Sequence, residues 1–380
     1  MMSDSKILFF VTEDWFVCSH WLPLIGGAKD AGFEVLVVTR TDPHNLHNQH
    51  AEMIRQRGAR VVPFEISRRG FNLLREFNTV LRLARIYREE RPDIVHHVAM
   101  KPMLYGSLVA RLTRIPHAVN WVAGMGWMFV SEHWRAKFLR TVVRRVLGTL
   151  LRATSVIVEN KDDQQIIAGI GVPQRDIYLV RGAGVDTRRY AATQEPSGIP
   201  LVVLTARMLW DKGVGEFVDA ARQLKLRGVT GRFVLVGDPD DENPASVPRS
   251  QLNAWHDEGV VEWWGRREDI PQVLAQAHIV CLPSYREGLP KSLLEAASCA
   301  RPIVTTDVPG CREVVRDGEN GLLVEVRNAT ALADALARLL ADAELRQQMG
   351  RRGRELVESE FSEEKVVQQT LAIYREILAQ

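Results

Sequence analysis

The sequence predicts an α/β protein with two doubly wound parallel sheets, each the centre of its own domain. Length is the first reason, because 380 residues are more than one core holds comfortably and suit two domains. Pattern is the second: short apolar runs of the buried-strand kind alternate with stretches of helical period along the chain. The third is a break at residues 187–199, where Pro196 and Gly198 interrupt both patterns near the middle.

In the first half, Lys6–Thr12, Glu34–Thr39, Arg60–Phe64, Asp93–Val98, His117–Val122, Thr154–Val158 and Ile177–Val180 read as strands. A helix from about Pro23 to Ala31 stops at Gly32. A longer one, Phe71–Glu90, carries Leu73, Leu74, Phe77, Val80, Leu81 and Ala84 near a 3.6-residue period before Arg91-Pro92 closes it. Asn160 opens another. In the second half the strands are Pro200–Thr205, Arg232–Val236, Val260–Trp264, His278–Leu282 and Ile303–Thr306. Val214–Leu226 is a helix, and 330–340, 344–358 and 362–378 are helical. Ligands of such sheets bind beyond the carboxyl ends of the strands, so the chemistry is sought in those loops.

Composition excludes disorder, collagen and a disulfide scaffold. Cys18, Cys281, Cys299 and Cys311 form no C-x-x-C pair and read as reduced, structural thiols of a cytosolic protein. The start MMSDSKILFFV has only Ile7–Val11 as an apolar run, too short for a signal peptide. No stretch reaches the ~18 apolar residues that cross a bilayer. The net charge of +2 hides an asymmetry: residues 1–190 hold 27 Lys+Arg against 18 Asp+Glu, a net of +9, and residues 191–380 hold 22 against 29, a net of −7. The basic half is the one suited to an anionic surface. No nucleic-acid partner is expected.

The stretch Ser284–Glu313, SYREGLPKSLLEAASCARPIVTTDVPGCRE, concentrates the candidate chemistry. A strand stops at Pro283, a loop holds Arg286, Glu287 and Gly288, and Pro290 suits the first position of a helix running to about Ala300. A loop entering a helix offers backbone N–H groups and a positive dipole end, which hold phosphate. Glu287 before that start and Glu295 inside it are placed to grip different ends of one extended, hydroxyl-rich ligand. Upstream, Arg207 and Lys212 lie five apart in the loop ARMLWDKG. In isolation they are surface charge. Converging, a guanidinium and an ammonium suit a diphosphate whose charge grows as a sugar leaves.

This ordered set, Arg207 and Lys212-Gly213, the Glu287-x7-Glu295 pair around Gly288-Leu289-Pro290, then Pro309-Gly310 and Glu313, resembles glycosyltransferase family 4, retaining enzymes of the two-domain GT-B fold. The resemblance runs over nearly the whole chain, with Ala300 standing where the family usually has glycine. It implies two Rossmann-like domains with parallel sheets facing a central cleft. Residues 1–186 would bind acceptor, 187–199 link the domains, 200–360 bind the nucleotide sugar, and the helix 361–380 cross back to the first domain. The donor would be a nucleoside-diphosphate sugar, UDP-linked, with no cofactor and no metal. Asp238-Pro239-Asp240 imitates a metal-binding D-x-D but reads as a turn. Arg207, Lys212 and the amides of Gly288, Leu289 and Pro290 would take the leaving charge, Glu287 the sugar hydroxyls and Glu295 the ribose. Arg266 would hold the base through its backbone.

Three first-half loops, Glu13–Trp21, His96–Lys101 and Ala123–Trp127, sit at strand ends. His20 either donates to a phosphate or sugar or caps the next helix, and Trp21 stands where family members often have arginine. The family often places a histidine by the donor sugar at the second loop; alternation sends one imidazole of His96 and His97 to the core without fixing which, and His97 is taken as the candidate. Lys101 is assigned the acceptor's phosphate, with His20, Gly124 and Gly126 as further acceptor-side candidates. Gly124-Met125-Gly126 lacks the rest of a dinucleotide fingerprint and reads as a place of close backbone approach.

Ser131–Arg152 is an amphipathic helix with Arg135, Lys137, Arg140, Arg144, Arg145 and Arg152 against the single acid Glu132. It either faces the core with a solvated basic side or lies on anionic lipid, and the +9 half favours lipid. The combined expectation is a transferase, peripheral on the inner face of the cell membrane, extending a polyprenyl-diphosphate-linked saccharide. Two alternatives stay open: a GT-B sugar-nucleotide epimerase, and a non-catalytic protein that binds sugar nucleotide or membrane.

Overall fold

A computed structural model of the chain describes residues 5–41, 49–66, 73–124 and 144–380. The chain divides into two compact units, Met1–Ala183 with Glu364–Gln380, and Gly184–Glu363.

In the first unit, β1 (Lys6–Glu13), β2 (Glu34–Arg40), β3 (Arg60–Pro63), β4 (Ile94–Val98), β5 (His117–Val122), β6 (Ser155–Val158) and β7 (Ile177–Leu179) pair in parallel. Their order is β3-β2-β1-β4-β5-β6-β7, with the reversal between β1 and β4 that marks the ligand position of such sheets. Both faces are covered, which is why the strands read as unbroken apolar runs. On one face Ile7, Phe9 and Val35 pack under Leu24 and Ile25 of the helix Leu22–Asp30. On the other, Leu8, Phe10 and Val95 pack under Leu83 and Val109, from the helices Leu73–Glu90 and Met100–Thr113. The helix Glu363–Leu378 completes the first face, adding Val366, Leu371, Tyr374 and Ile377.

Coverage of both faces corrects the reading of the paired histidines. His96 and His97 are each 0% exposed. Alternation along β4 selects which core each enters, not whether it is buried. His96 stacks on Phe9 and Trp121, with ring centroids 5.0 and 5.8 Å away, and its Nδ1 meets the Tyr374 hydroxyl. His97 donates from Nδ1 to Asn120 Oδ1 and accepts the Tyr87 hydroxyl at Nε2, both at 2.9 Å. It lies against Gly106, where a Cβ would stand 2.4 Å from the ring. With both ring nitrogens engaged, His97 is a core residue and not a neighbour of the donor sugar.

Burial pushes the pKa of His96 down to about 3 and of His97 to about 4, so both are neutral in the fold. In the unfolded chain they titrate near 6.5, as exposed histidines do, roughly as in model peptides. The unfolded state then binds protons that the folded state refuses. Stability is full above about pH 6.5 and falls with acidification, by up to about 1.4 kcal/mol per pH unit for each histidine. Denaturant melts from about pH 7.5 to about pH 5 test this. His97→Gln is expected to remove about half of the slope, and a wild-type stability flat over that window would refute the assignment.

Two other segments differ from expectation. Of Glu13–Trp21, expected as a loop, Glu13 ends β1 and the rest is helical, with a π turn over Val17–Trp21. His96–Lys101 is not a loop either, because the helix Met100–Thr113 starts directly after Ala99. Gly126 and most of the expected basic helix lie outside the described residues. Residues 144–151 are helical, with Leu147 and Leu151 buried beside Val156 and Ile167 and with Arg144 and Arg145 exposed. Among the described residues no helix is long and apolar enough to cross a membrane.

In the second unit, β8 (Leu201–Thr205), β9 (Arg232–Val236), β10 (Glu262–Trp263), β11 (Ile279–Leu282), β12 (Ile303–Thr306) and β13 (Gly321–Val324) form a parallel sheet in the order β10-β9-β8-β11-β12-β13. Its order reverses between β8 and β11. Residues 187–199 are part of this unit. Arg354 donates to the carbonyls of Thr187 and Tyr190 at 3.0 and 2.8 Å. Arg301, 2% exposed, reaches the Thr193 hydroxyl and the Gln194 carbonyl, and Arg346 grips Glu195 at 2.6 Å. Three arginines thus strap down a stretch whose Pro and Gly content reads as a linker.

Candidate active site

The reversal between β8 and β11 places two loops side by side. The chain leaves β8 through Arg207 and makes a short 3-10 turn, Trp210–Lys212, ending at Gly213 with φ 71°. The chain leaves β11 through Pro283 into Ser284–Pro290. Gly213 is required where the loops meet, because a Cβ there would stand 2.1 Å from the Pro283 carbonyl oxygen. The Asp211 carbonyl accepts from Ser284 Oγ at 3.0 Å and from the Tyr285 amide at 2.9 Å. Thr305 and Thr306, at the end of β12, donate to the carbonyls of Leu282 and Ser284.

These ties bring Lys212 Nζ to Glu287 Oε1 at 2.5 Å. The next layer fixes the glutamate's own backbone. Gly310 adopts φ 82°, ψ −47°, and a Cβ on it would lie 2.3 Å from the Gly288 carbonyl oxygen and 2.8 Å from that of Glu287. The Pro309-Gly310 pair singled out in the sequence is therefore a close support for the Glu287-Gly288 turn.

The helix Lys291–Ser298 follows, with Pro290 as its N-cap, one position earlier than expected, and no side-chain cap bond. Its start points at the loop, as a phosphate-holding N-terminus requires. Glu295 lies in this helix, partly buried, and hydrogen-bonds Tyr190. Loss of solvent raises its pKa, against the pull of Lys291, Tyr190 and Arg189. Tyr190 comes from the strapped segment 187–199 and carried no sequence signal, since its proximity to Glu295 depends on the arginine clamps.

Arg207 pairs with Asp240 Oδ2 at 2.7 Å, and Asp238 with Arg249 at 3.4 Å, so both aspartates of the D-x-D imitation face arginines. Among the described residues no three His, Cys, Asp or Glu side chains gather as a metal site would need. Arg266 is exposed just after β10, next to Gly265, whose carbonyl accepts from the Gly237 amide at 2.8 Å. In the first unit, Lys101 sits in the opening turn of its helix and pairs with Glu76 at 2.9 Å, while the Tyr105 hydroxyl donates to the other carboxylate oxygen at 2.7 Å. His20 rides on the π turn, 2.7 Å from the Ser19 hydroxyl and against Phe16. Trp21 is buried on Trp121. Gly124 follows β5 with φ 82°.

Solved structures share this architecture. Sucrose-phosphate synthase from Thermosynechococcus elongatus matches with a TM-score of 0.80 at 20% identity, over 98% of this chain and 99% of that one. Anabaena HepE in complex with UDP-glucose matches with a TM-score of 0.77 at 19% identity, over 98% and 99%. The fold is that of the GT-B glycosyltransferases. Residues 6–160 match the family model for glycosyl transferase 4-like domains, and residues 199–342 the model for glycosyl transferases group 1. A Campylobacter jejuni N,N'-diacetylbacillosaminyl-diphospho-undecaprenol alpha-1,3-N-acetylgalactosaminyltransferase is 28% identical over 94% of this chain and 95% of its own. The chain belongs to the group 1, family 4-like glycosyltransferases and is a sugar-transferring enzyme.

Proposed function

We propose that the enzyme moves a hexosyl group, with retention, from a UDP-linked sugar to a saccharide carried on polyprenyl diphosphate. One observation carries the catalytic part of this reading: the Lys212 ammonium held on Glu287 at the sheet reversal, beside a helix start. Lys212, Arg207 and the amides of Gly288, Leu289 and Pro290 draw off the charge of the departing diphosphate. Glu287 orients the sugar hydroxyls, and Glu295, steadied by Tyr190, holds the ribose. Arg266 offers its backbone to the base. The acceptor attacks from the face the diphosphate leaves, with the leaving phosphate as base, so no metal and no protein general base is assigned.

Support for the donor comes from HepE, whose complex holds UDP-glucose, and for the acceptor from the Campylobacter relative, named for an undecaprenol-diphosphate-linked sugar. On the acceptor side Lys101, His20, Gly124 and Gly126 remain assigned to the first unit, Lys101 by sharing its charge between Glu76 and a phosphate. Contact with the inner face of the membrane through 131–152 belongs to the same reading. Vesicle binding indifferent to charge reversal at Arg144 and Arg145 would remove it.

The test of transfer is a panel of nucleotide sugars, each with and without a polyprenyl-diphosphate-linked saccharide. One donor is expected to be consumed only with acceptor, giving an α-linked product at a rate that EDTA leaves unchanged. Consumption of every donor without acceptor, or of none with it, would sink the proposal.

A further inference from the structure

At the amino ends of β5 and β6, away from the carboxyl ends where such sheets bind ligands, the first unit holds a cavity of about 520 Å³. Arg111, Arg114 and Arg152 line it, together with Ser107, Thr149 and Thr154. Elsewhere in this unit several arginines find acids: Arg40 meets Glu13, Arg60 meets Glu90, and Arg82 meets Glu65. The arginines around the cavity form no such pair among the described residues. Residues 94–158 contain nine Lys+Arg and one acid, Glu132. Among the described residues none of the three guanidinium groups has an ion pair or a hydrogen bond.

The backbone carries a second sign. Arg114 terminates its helix at φ 57°, ψ 42°, the left-handed cap position at which glycine is the usual occupant. An arginine there is strained where glycine would not be, and strained residues of this kind cluster at ligand sites. Arg111 lies in the last turn of that helix and Arg114 directly after its end, and both line the cavity. Arg152 lies over Gly171, where a Cβ would come within 2.7 Å of its Nη2. The floor is rigid: Ser107 Oγ donates to Asn120 Oδ1, and Asn120 Nδ2 to Thr154 Oγ1, both at 3.0 Å.

We propose that this cavity binds a phosphate group, borne by a free phosphate compound or by a lipid headgroup. Three uncompensated guanidinium groups match a phosphate's charge and its bidentate oxygen geometry. The volume leaves room for the phosphate and a small substituent, being within the usual range for ligand sites, roughly 300–1,000 Å³. The site is remote from Lys212 and Glu287 in sequence and lies in the other unit, so it stands or falls apart from the transfer reading.

The experiment uses the full chain with two probes, inorganic phosphate by calorimetry and vesicles of phosphatidylglycerol in phosphatidylcholine by flotation. Arg111→Gln with Arg114→Gly is expected to weaken binding of the responding probe at least tenfold. Arg114→Gly alone is expected to raise the melting temperature while weakening binding, a combination that misfolding cannot produce. Response to inorganic phosphate alone identifies a soluble ligand, and response to vesicles identifies a headgroup. Arg88→Gln, which lies outside the cavity, is expected to bind as wild type. The proposal is overturned if neither probe binds, if the double variant binds unchanged, or if Arg88→Gln loses as much.

Discussion

Lys212→Ala is expected to lower transfer at least about 100-fold while the protein stays folded, the order of loss seen when one preorganised charge-stabilising group is removed. Lys212 is the cation that the two loops deliver to Glu287 at 2.5 Å, and both side chains are largely sequestered from solvent, at 22% and 10% exposure. Its removal withdraws the charge that meets the departing diphosphate and also leaves Glu287 without its partner. The effect should fall on kcat more than on KM, since leaving-group charge develops only in the transition state. Lys212→Arg keeps the charge but not the compact ammonium, and partial recovery is expected. An unaltered kcat in the alanine variant would remove Lys212, and with it the carrying observation, from the mechanism.

Gly310→Ala is expected to cost about 2–4 kcal/mol of stability and at least about tenfold in activity. The new Cβ would stand 2.3 Å from the Gly288 carbonyl oxygen, on backbone with no flexible end to yield. The turn bearing Glu287 must therefore move, and misplacement of a positioning group by about 1 Å can lose around 100-fold. A second glycine separates this from strain alone. Gly259 also has positive φ, 68°, but open space around its missing Cβ. Gly259→Ala should show only the conformational cost, about 1 kcal/mol, with full activity. Equal kinetic loss in the two variants would count against the close approach as the cause.

The sheets were legible because a strand buried on both faces must be apolar throughout. His117–Val122, Arg232–Val236 and Ile303–Thr306 appear with the bounds their residues suggest. β13 is not legible in the sequence, since Gly321-Leu322-Leu323-Val324 is short and its glycine is there to clear the Ile303 carbonyl, a long-range reason. In the site, the spacing of Glu287, Glu295, Lys212 and Pro309-Gly310 marked the loops that come together. Arg207 shares a loop with Lys212, but its contact is Asp240, which the sequence shows only as part of a turn. Period-two alternation placed one of His96 and His97 in the open. That inference holds for a sheet with one wet face and fails where helices cover both.

Tyr374 and His96 touch across 278 residues of sequence. During synthesis the first seven strands emerge long before the helix that fills their remaining face. That face, with Phe9 and His96 on it, must wait only partly covered while the whole second unit is translated, whereas the second unit meets no such delay. Nascent chains arrested before residue 364 should therefore be recognised by chaperones through the earlier half, although it left the ribosome first.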